Sequence, residues 1–228
     1  MTIQEFLEFR KQAIRGTLDK YYESLTVHQK LEAIKCFEKI GKEKVSKSGN
    51  SIYSNYNVIT DVEQMVLGQF IMVEQVLQSQ SDTKELQVLN LIVRPKEDKE
   101  FDYIDMEREQ LHSRTVAQLD SIEGMQVFQD FMENREAVLF KKFNGVIYQE
   151  PDPSIEEDEE QSTTGEEQFS KMWYWYSIIR DLAGEDILKQ DQVTMIKMSK
   201  VLVELSFKAQ KSKLEYARMK REESLRSR

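Results

Sequence analysis

"EEDEEQSTTGEEQFSKMWYWYSIIRDLAG", residues 156–184, sets an acidic, turn-forming string directly against four aromatic residues in a row, Trp173, Tyr174, Trp175 and Tyr176. Two prolines, the acidic block and "STTG" cannot build a packed helix, so residues 149–168 read as a linker. After it helical order restarts, and Gly184 stands where a helix-ending glycine belongs. Consecutive positions on a helix point about 100° apart, so the four rings cannot all enter one core face. At least one must meet a second surface, either the main body of the same chain or another subunit, where Trp and Tyr are enriched as anchors.

Outward from that boundary, charge is organised in blocks. The chain has 228 residues and a formal net charge of −9, and 150–168 alone holds nine acidic and no basic residues, so the remainder sums to zero. At the other end, residues 208–228 hold eight Lys/Arg against three Glu. Such blocks are usually solvated, and opposite blocks in one chain can also attract neighbouring copies in an assembly. Only three prolines and eight glycines punctuate a chain that is 32% charged, which favours helices over a turn-rich β fold. The expected fold is mainly α, a helical bundle main domain with a tethered C-terminal helical hairpin and at most a short minor strand pair.

The periodicity supports that division. In 1–41, Ile3, Phe6, Leu7, Ala13 and Ile14 and then Val27, Leu31, Ile34 and Phe37 recur at helical spacing, with Gly16 and Gly41 as stops, predicting a helix pair. Residues 42–57 read as a loop, in which "IYSNYNVI" from Ile52 could begin a short strand. Within 58–148, the rest of the 1–148 main domain, "VEQMVLGQFIMVEQVLQ" predicts two helical pieces around Gly68. "TKELQVLNLIV" predicts a helix stopped at Pro95, which restricts Arg94. Two amphipathic helices follow, with Val116 and Leu119 on the buried face of one and Val127, Phe128, Phe131 and Val138 on that of the other. In the C-terminal module, 169–228, Ile187, Val193, Met198, Val201, Leu202 and Leu205 form the apolar side. After Ala209 charge takes over, so the last helix is expected to project as a basic tail.

No catalytic constellation emerges, and no catalytic, cofactor-binding or metal site is expected. Glu109 and His112 in "EQLH" have the spacing of one half of a carboxylate-bridged di-iron site, but His28, the other histidine, has Leu25 three positions before it, so a helical surface pair is the plainer reading. Cys36 is the single cysteine, which excludes an internal disulfide and a four-cysteine zinc site, and it reads as a small core or boundary residue. Phosphate-cradling glycine loops, nucleophile elbows and H-E-x-x-H segments do not occur. The basic end could hold DNA phosphates nonspecifically, yet Glu215, Glu222 and Glu223 interrupt it and the total charge is acidic, which favours a protein partner. The N-terminus lacks a secretory pattern and the apolar runs are short, so the expectation is a soluble protein, with no membrane partner, made in a cytosolic pool.

The order of signals is similar to a family of virion-associated proteins of tailed bacteriophages, the portal–tail ring protein group of crAss-like phages. "NVITDVEQMVLGQFIMVEQVL", then "LNLIVRPK", a helix pair, an acidic spacer and "WYWYSIIRDLAGEDILKQDQVTMIKMSKVLVELSFKAQK" carry the resemblance over about residues 55–210. What it implies is a noncatalytic structural role as a ring or adaptor component, or alternatively a tail assembly chaperone that leaves before the particle is complete. It implies partners that are other copies of the chain and neighbouring portal or tail proteins, a homo-oligomer, and a place in the virion at the tail or portal vertex after assembly in the host cytoplasm. The matching positions are 67–70, Arg94 with Pro95, and the docking segment Trp173, Tyr174, Leu182, Ala183 and Gly184. With Trp175 and Tyr176, these make Trp173, Tyr174 and Leu182 the expected protein interface.

Overall fold

The computed structural model describes residues 2–14, 21, 24–26, 28–32, 52–96, 106–147 and 165–226. Cys36, the glycines at 16 and 41, and the expected linker up to residue 164 lie outside them. The fold is mainly α with one two-stranded antiparallel sheet among the described residues. Two units can be told apart, Met1–Asp61 with Met72–Asn134, and Val62–Ile71 with Arg135–Arg228.

In the first unit, α1 (Ile3–Ile14) starts on a reciprocal cap: the Thr2 N–H donates to Glu5 Oε2 at 2.9 Å and the Glu5 N–H to Thr2 Oγ1 at 3.2 Å. The same reciprocal device, here with glutamine in place of glutamate, opens the helical turn at 28–32, where the Thr26 N–H donates to Gln29 Oε1 and the Gln29 N–H to Thr26 Oγ1. Leu31 on that turn was expected inside and is exposed. A single helical turn (Ile52–Asn55) precedes β1 (Tyr56–Val58), so only the second part of the expected strand is extended. β1 pairs with β2 (Val93–Pro95), Tyr56 opposite Pro95 and Val58 opposite Val93. The helix before it, α3 (Lys84–Ile92), therefore ends earlier than Pro95 alone dictates. Val93 is already extended, its N–H donating to the Leu89 carbonyl. Arg94 is held from the helical region by the following proline, and Pro95 sits at the sheet edge where its missing donor does no harm.

The helix α4 (Met106–Ala117) packs on α3, and α5 (Ser121–Glu136) follows after a turn. Asp120 caps α5, its Oδ1 accepting from the N–H groups of Ile122 and Glu123. A bridge between Thr2 and Asp120 joins the starts of α1 and α5, and the Ile3 N–H donates to the Leu119 carbonyl at 3.0 Å. The approach is close because Gly124 on α5 has no side chain. A Cβ there would lie 2.4 Å from Ile3 Cδ1. Ile3, Phe6, Val88, Leu89, Ile92, Val116, Val127 and Phe131 make the buried core of this unit.

The helix α2 (Leu67–Gln78), preceded by a 3-10 turn at Val62–Gln64, begins in the second unit and passes into the first after Ile71. Gly68 lies in its first turn rather than between two pieces. The second unit then takes up α5 from Arg135, a wide helical turn at Ala137–Lys142, α6 (Gly165–Leu182), a short helical stretch (Gln190–Thr194) and α7 (Met198–Arg226). The last four positions of the expected linker, 165–168, are thus helical. Here too two helix starts are clasped together. Leu67 N–H donates to the Ile196 carbonyl and Met198 N–H to the Met65 carbonyl, both at 2.8 Å, so each helix satisfies a first-turn donor of the other. Val62, Met65, Leu67, Phe70, Met198, Val201 and Leu202 fill the core beneath this clasp.

Candidate protein-interaction surface

Helix α6 carries the aromatic run, and its end is set by backbone conformation. Gly184 and Glu185 take φ values of +64° and +63°, and the Glu185 N–H donates back to the Arg180 carbonyl at 3.0 Å, closing the last turn. Leu182, the last helical residue, is half-buried beside the buried Ala183.

The four rings divide between two faces. Trp175 turns inward and meets the Phe70 ring edge-on, with centroids 5.6 Å apart and planes at 85°. Tyr174 is also half-buried. Its hydroxyl donates to the Ile147 carbonyl, and its ring lies 5.0 Å from that of Trp175. Trp173 and Tyr176 turn outward and remain 44% and 42% exposed. They form one edge-on pair at 5.6 Å, and Phe169 extends the row at 6.2 Å from Trp173. Met172, 76% exposed, completes the face. Residues 169, 172, 173 and 176 have the i, i+3, i+4, i+7 spacing of a single helical stripe. Phe169 and Met172 were missed in the sequence because the four adjacent rings drew the reading away from that period.

A second outward stripe lies on α7. Met198, Val201 and Leu202 are buried, as expected, but Val203, Phe207, Leu214 and Leu225 are exposed. At 100° per residue these four fall within a sector of about 40°, because 203, 214 and 225 repeat every eleven residues, close to three full turns. Arg218 and Arg221 fall in or beside that sector, with Lys211 at its margin. The carboxylates Glu215, Glu222 and Glu223 lie about 80° or more from its centre. From 210 to 225 every described side chain on α7 is exposed. Lys208 and Asp181 pair at 2.7 Å. Ile187, expected on the apolar side, is exposed with Leu188 in a 3-10 turn (Ile187–Lys189).

No family model, curated protein or solved structure matches the chain.

The first unit offers two adjoining clefts of about 220 and 340 Å³ along α1 and α3. Two pairs of the charged side chains that line them are already joined: Arg10 with Glu85 at 2.6 Å and Lys11 with Asp82 at 3.3 Å. Among the described residues there is no group of three His, Cys, Asp or Glu side chains placed to hold a metal ion. His112 is buried on α4, and His28 is exposed, 3.8 Å from Glu32. No helix among the described residues is long and apolar enough to cross a membrane. The feature that separates the units is therefore apolar exposure. Among the described residues, fifteen large apolar side chains are exposed, and all but Leu31 belong to the second unit.

Proposed function

We propose that this chain is a noncatalytic assembly protein, a ring or adaptor component of a phage portal–tail structure, which works by docking with other copies of itself and with neighbouring portal or tail proteins. The observation that carries the reading is the concentration of exposed apolar side chains in the second unit, eight of which lie on two separate helical stripes. Contiguous exposed apolar surface with a polar surround marks an interaction site, and aromatic anchors such as Trp173 and Tyr176 are the residue types that dominate interface energetics. The sequence resemblance supplies the setting, the vertex of the particle.

Protein mass spectrometry of purified particles tests this directly. A ring component is present in a fixed number of copies per portal. An alternative, a tail assembly chaperone, draws support from the long exposed run of α7, which suits a helix that grips a client and lets go. In that case the chain is absent from finished particles but co-purifies with an unassembled tail protein.

A further inference from the structure

We infer that the outward face of α6 pairs with the same face of a second copy, antiparallel and about a two-fold axis, which deepens the docking function proposed above and rests on it. Phe169, Trp173, Tyr176 and Arg180 fall within a sector of about 60° on α6, with Met172 at its margin, so the aromatic row carries a cation at its far end. The row is complementary to itself. Phe169 and Arg180 are equally far from the point midway between Trp173 and Tyr176, and inverting a second helix about that point sets each Arg180 over the Phe169 ring of the other copy. The same operation brings Trp173 of each copy to Tyr176 of the other. Two guanidinium–ring contacts and two aromatic contacts result, all between residue types that anchor interfaces. A parallel pair would set Arg180 against Arg180 and lay two helix dipoles side by side in the same direction.

Charge permits the contact. Arg180 lies 3.4 Å from Glu185, and Asp181 is paired with Lys208 at 2.7 Å, so these charges at the end of α6 balance and do not drive two copies apart. The Arg180–Glu185 pair is itself exposed, 54% and 76%, and therefore holds the guanidinium only weakly against turning onto a ring. Length fits as well, since the row from Phe169 to Arg180 spans about 16 Å on both copies and neither has a remainder. Phe169, Met172, Trp173 and Tyr176 are 65%, 76%, 44% and 42% exposed. With Arg180, and at ~200 Å² for a side chain of this size, full coverage removes about 550 Å² per copy, about 1,100 Å² for the pair, just over the ~1,000 Å² that a specific contact needs. The association is therefore weak and builds up with concentration. A contact of this symmetry closes on itself and joins copies in pairs.

The test is sedimentation of the full chain at concentrations up to about 1 mM, where so small a contact fills. Wild type should dimerise, and Phe169→Ser with Trp173→Ser should lose at least about 30-fold in affinity, because each substitution acts on both halves of the contact. Tyr216→Ser with Met219→Ser removes exposed apolar surface away from both stripes and should leave dimerisation unchanged. Orientation is read from a matched pair, Phe169→Glu and Phe169→Lys, which delete the same ring. In the antiparallel contact the glutamate meets Arg180 of the other copy and the lysine is repelled by it, so the first should dimerise at least about 5-fold more tightly than the second, and the gap should shrink as salt rises. Equal affinities for these two would mean that the helices are not inverted, and the inference is overturned. An equal loss in the Tyr216 and Met219 variant would mean unspecific apolar association and overturns it too. Should wild type dimerise and Phe169→Ser with Trp173→Ser match it, the α6 contact is wrong while the docking function stands. A wild-type chain monomeric at every concentration also overturns the inference, and the purified particles then decide the rest: a chain present in them docks with neighbouring proteins alone, and a chain absent both from them and from any unassembled tail protein has no docking function.

Discussion

The two units solve opposite problems with the same kind of helix. In the first, α1, α3, α4 and α5 turn their apolar residues inward and tie their charges in pairs such as Arg10 with Glu85, leaving Leu31 as the exposed large apolar side chain among its described residues. In the second, a core of similar chemistry around Phe70, Met198 and Leu202 accounts for only one side of α6 and of α7. The opposite sides are apolar as well. A helix that is apolar on two faces is either buried on both or built for a partner, and its outer stripe gains nothing for the isolated chain. The difference teaches that amphipathicity is a statement about how many surfaces a helix meets: among the described residues the first unit keeps its large apolar side chains inside, whereas the second leaves a set of them exposed.

The largest effect that could break this contrast comes from making the same substitution in each unit. Phe131→Ala empties a site of zero exposure in the first unit and should cost about 3–5 kcal/mol in a denaturant titration. Phe207→Ala in the second unit removes a ring that is 61% exposed and should change monomer stability by no more than about 0.5 kcal/mol. Comparable losses at both positions would mean that Phe207 is covered within the chain and that the α7 stripe is ordinary core. Next in size is Gly124→Ala. The added carbon meets Ile3 at under 3 Å, and overpacking of this kind costs about 1–3 kcal/mol, reduced by up to about 1 kcal/mol because alanine favours the helix. Adding Ile3→Val should recover part of the loss, since the nearest clashing atom, Cδ1, is then gone. An unchanged midpoint for Gly124→Ala alone would show that the first unit is packed more loosely than its burial implies.

Periodicity made most helices legible, because 3.6-residue spacing of apolar side chains is a local property, and so α1, α3 and α5 begin where Ile3, Lys84 and Ser121 suggest. What the local pattern could not carry was anything fixed by a distant partner. Val93 looks like one more apolar residue of a helix, but pairing with Val58 makes it strand. Gly124 looks like a tolerated helix interior glycine until Ile3, more than a hundred positions earlier, is found against it. The aromatic run shows the same limit. Helix geometry alone requires that Trp173, Tyr174, Trp175 and Tyr176 serve two surfaces, yet which rings go inward depends on Phe70 and Ile147. The α7 stripe escaped for a different reason. Its eleven-residue repeat is diluted by charges and does not resemble a heptad, so the segment after Ala209 read as a plain basic tail.

Smaller effects probe how the second unit holds its apolar residues out. Gly184→Ala places a Cβ in open space but in a left-handed conformation, so it should cost about 1–2 kcal/mol through the backbone alone. Packing plays no part, and a filling substitution elsewhere should not rescue it.

The least of the effects is tied to pH. Asp186 follows that turn, accepts a hydrogen bond from the Leu188 N–H at 3.0 Å and pairs with Lys189 at 3.1 Å. The Lys189 hydrogen bond first, and then the Leu188 amide, hold its carboxyl below the usual aspartate range. A lowered folded-state pKa means that the contribution is present above the unfolded value and is lost as pH falls through the folded one. Wild type should therefore lose its small advantage over Asp186→Asn on acidification, and the two stability curves should converge at low pH. This carboxylate fixes the turn from which Ile187 and Leu188 point outward. If Asp186→Asn leaves protease sensitivity at that turn unchanged at neutral pH, their exposure is set by the lack of a core to enter. If cleavage there rises, the cap itself presents these side chains, and their exposure is imposed by the backbone.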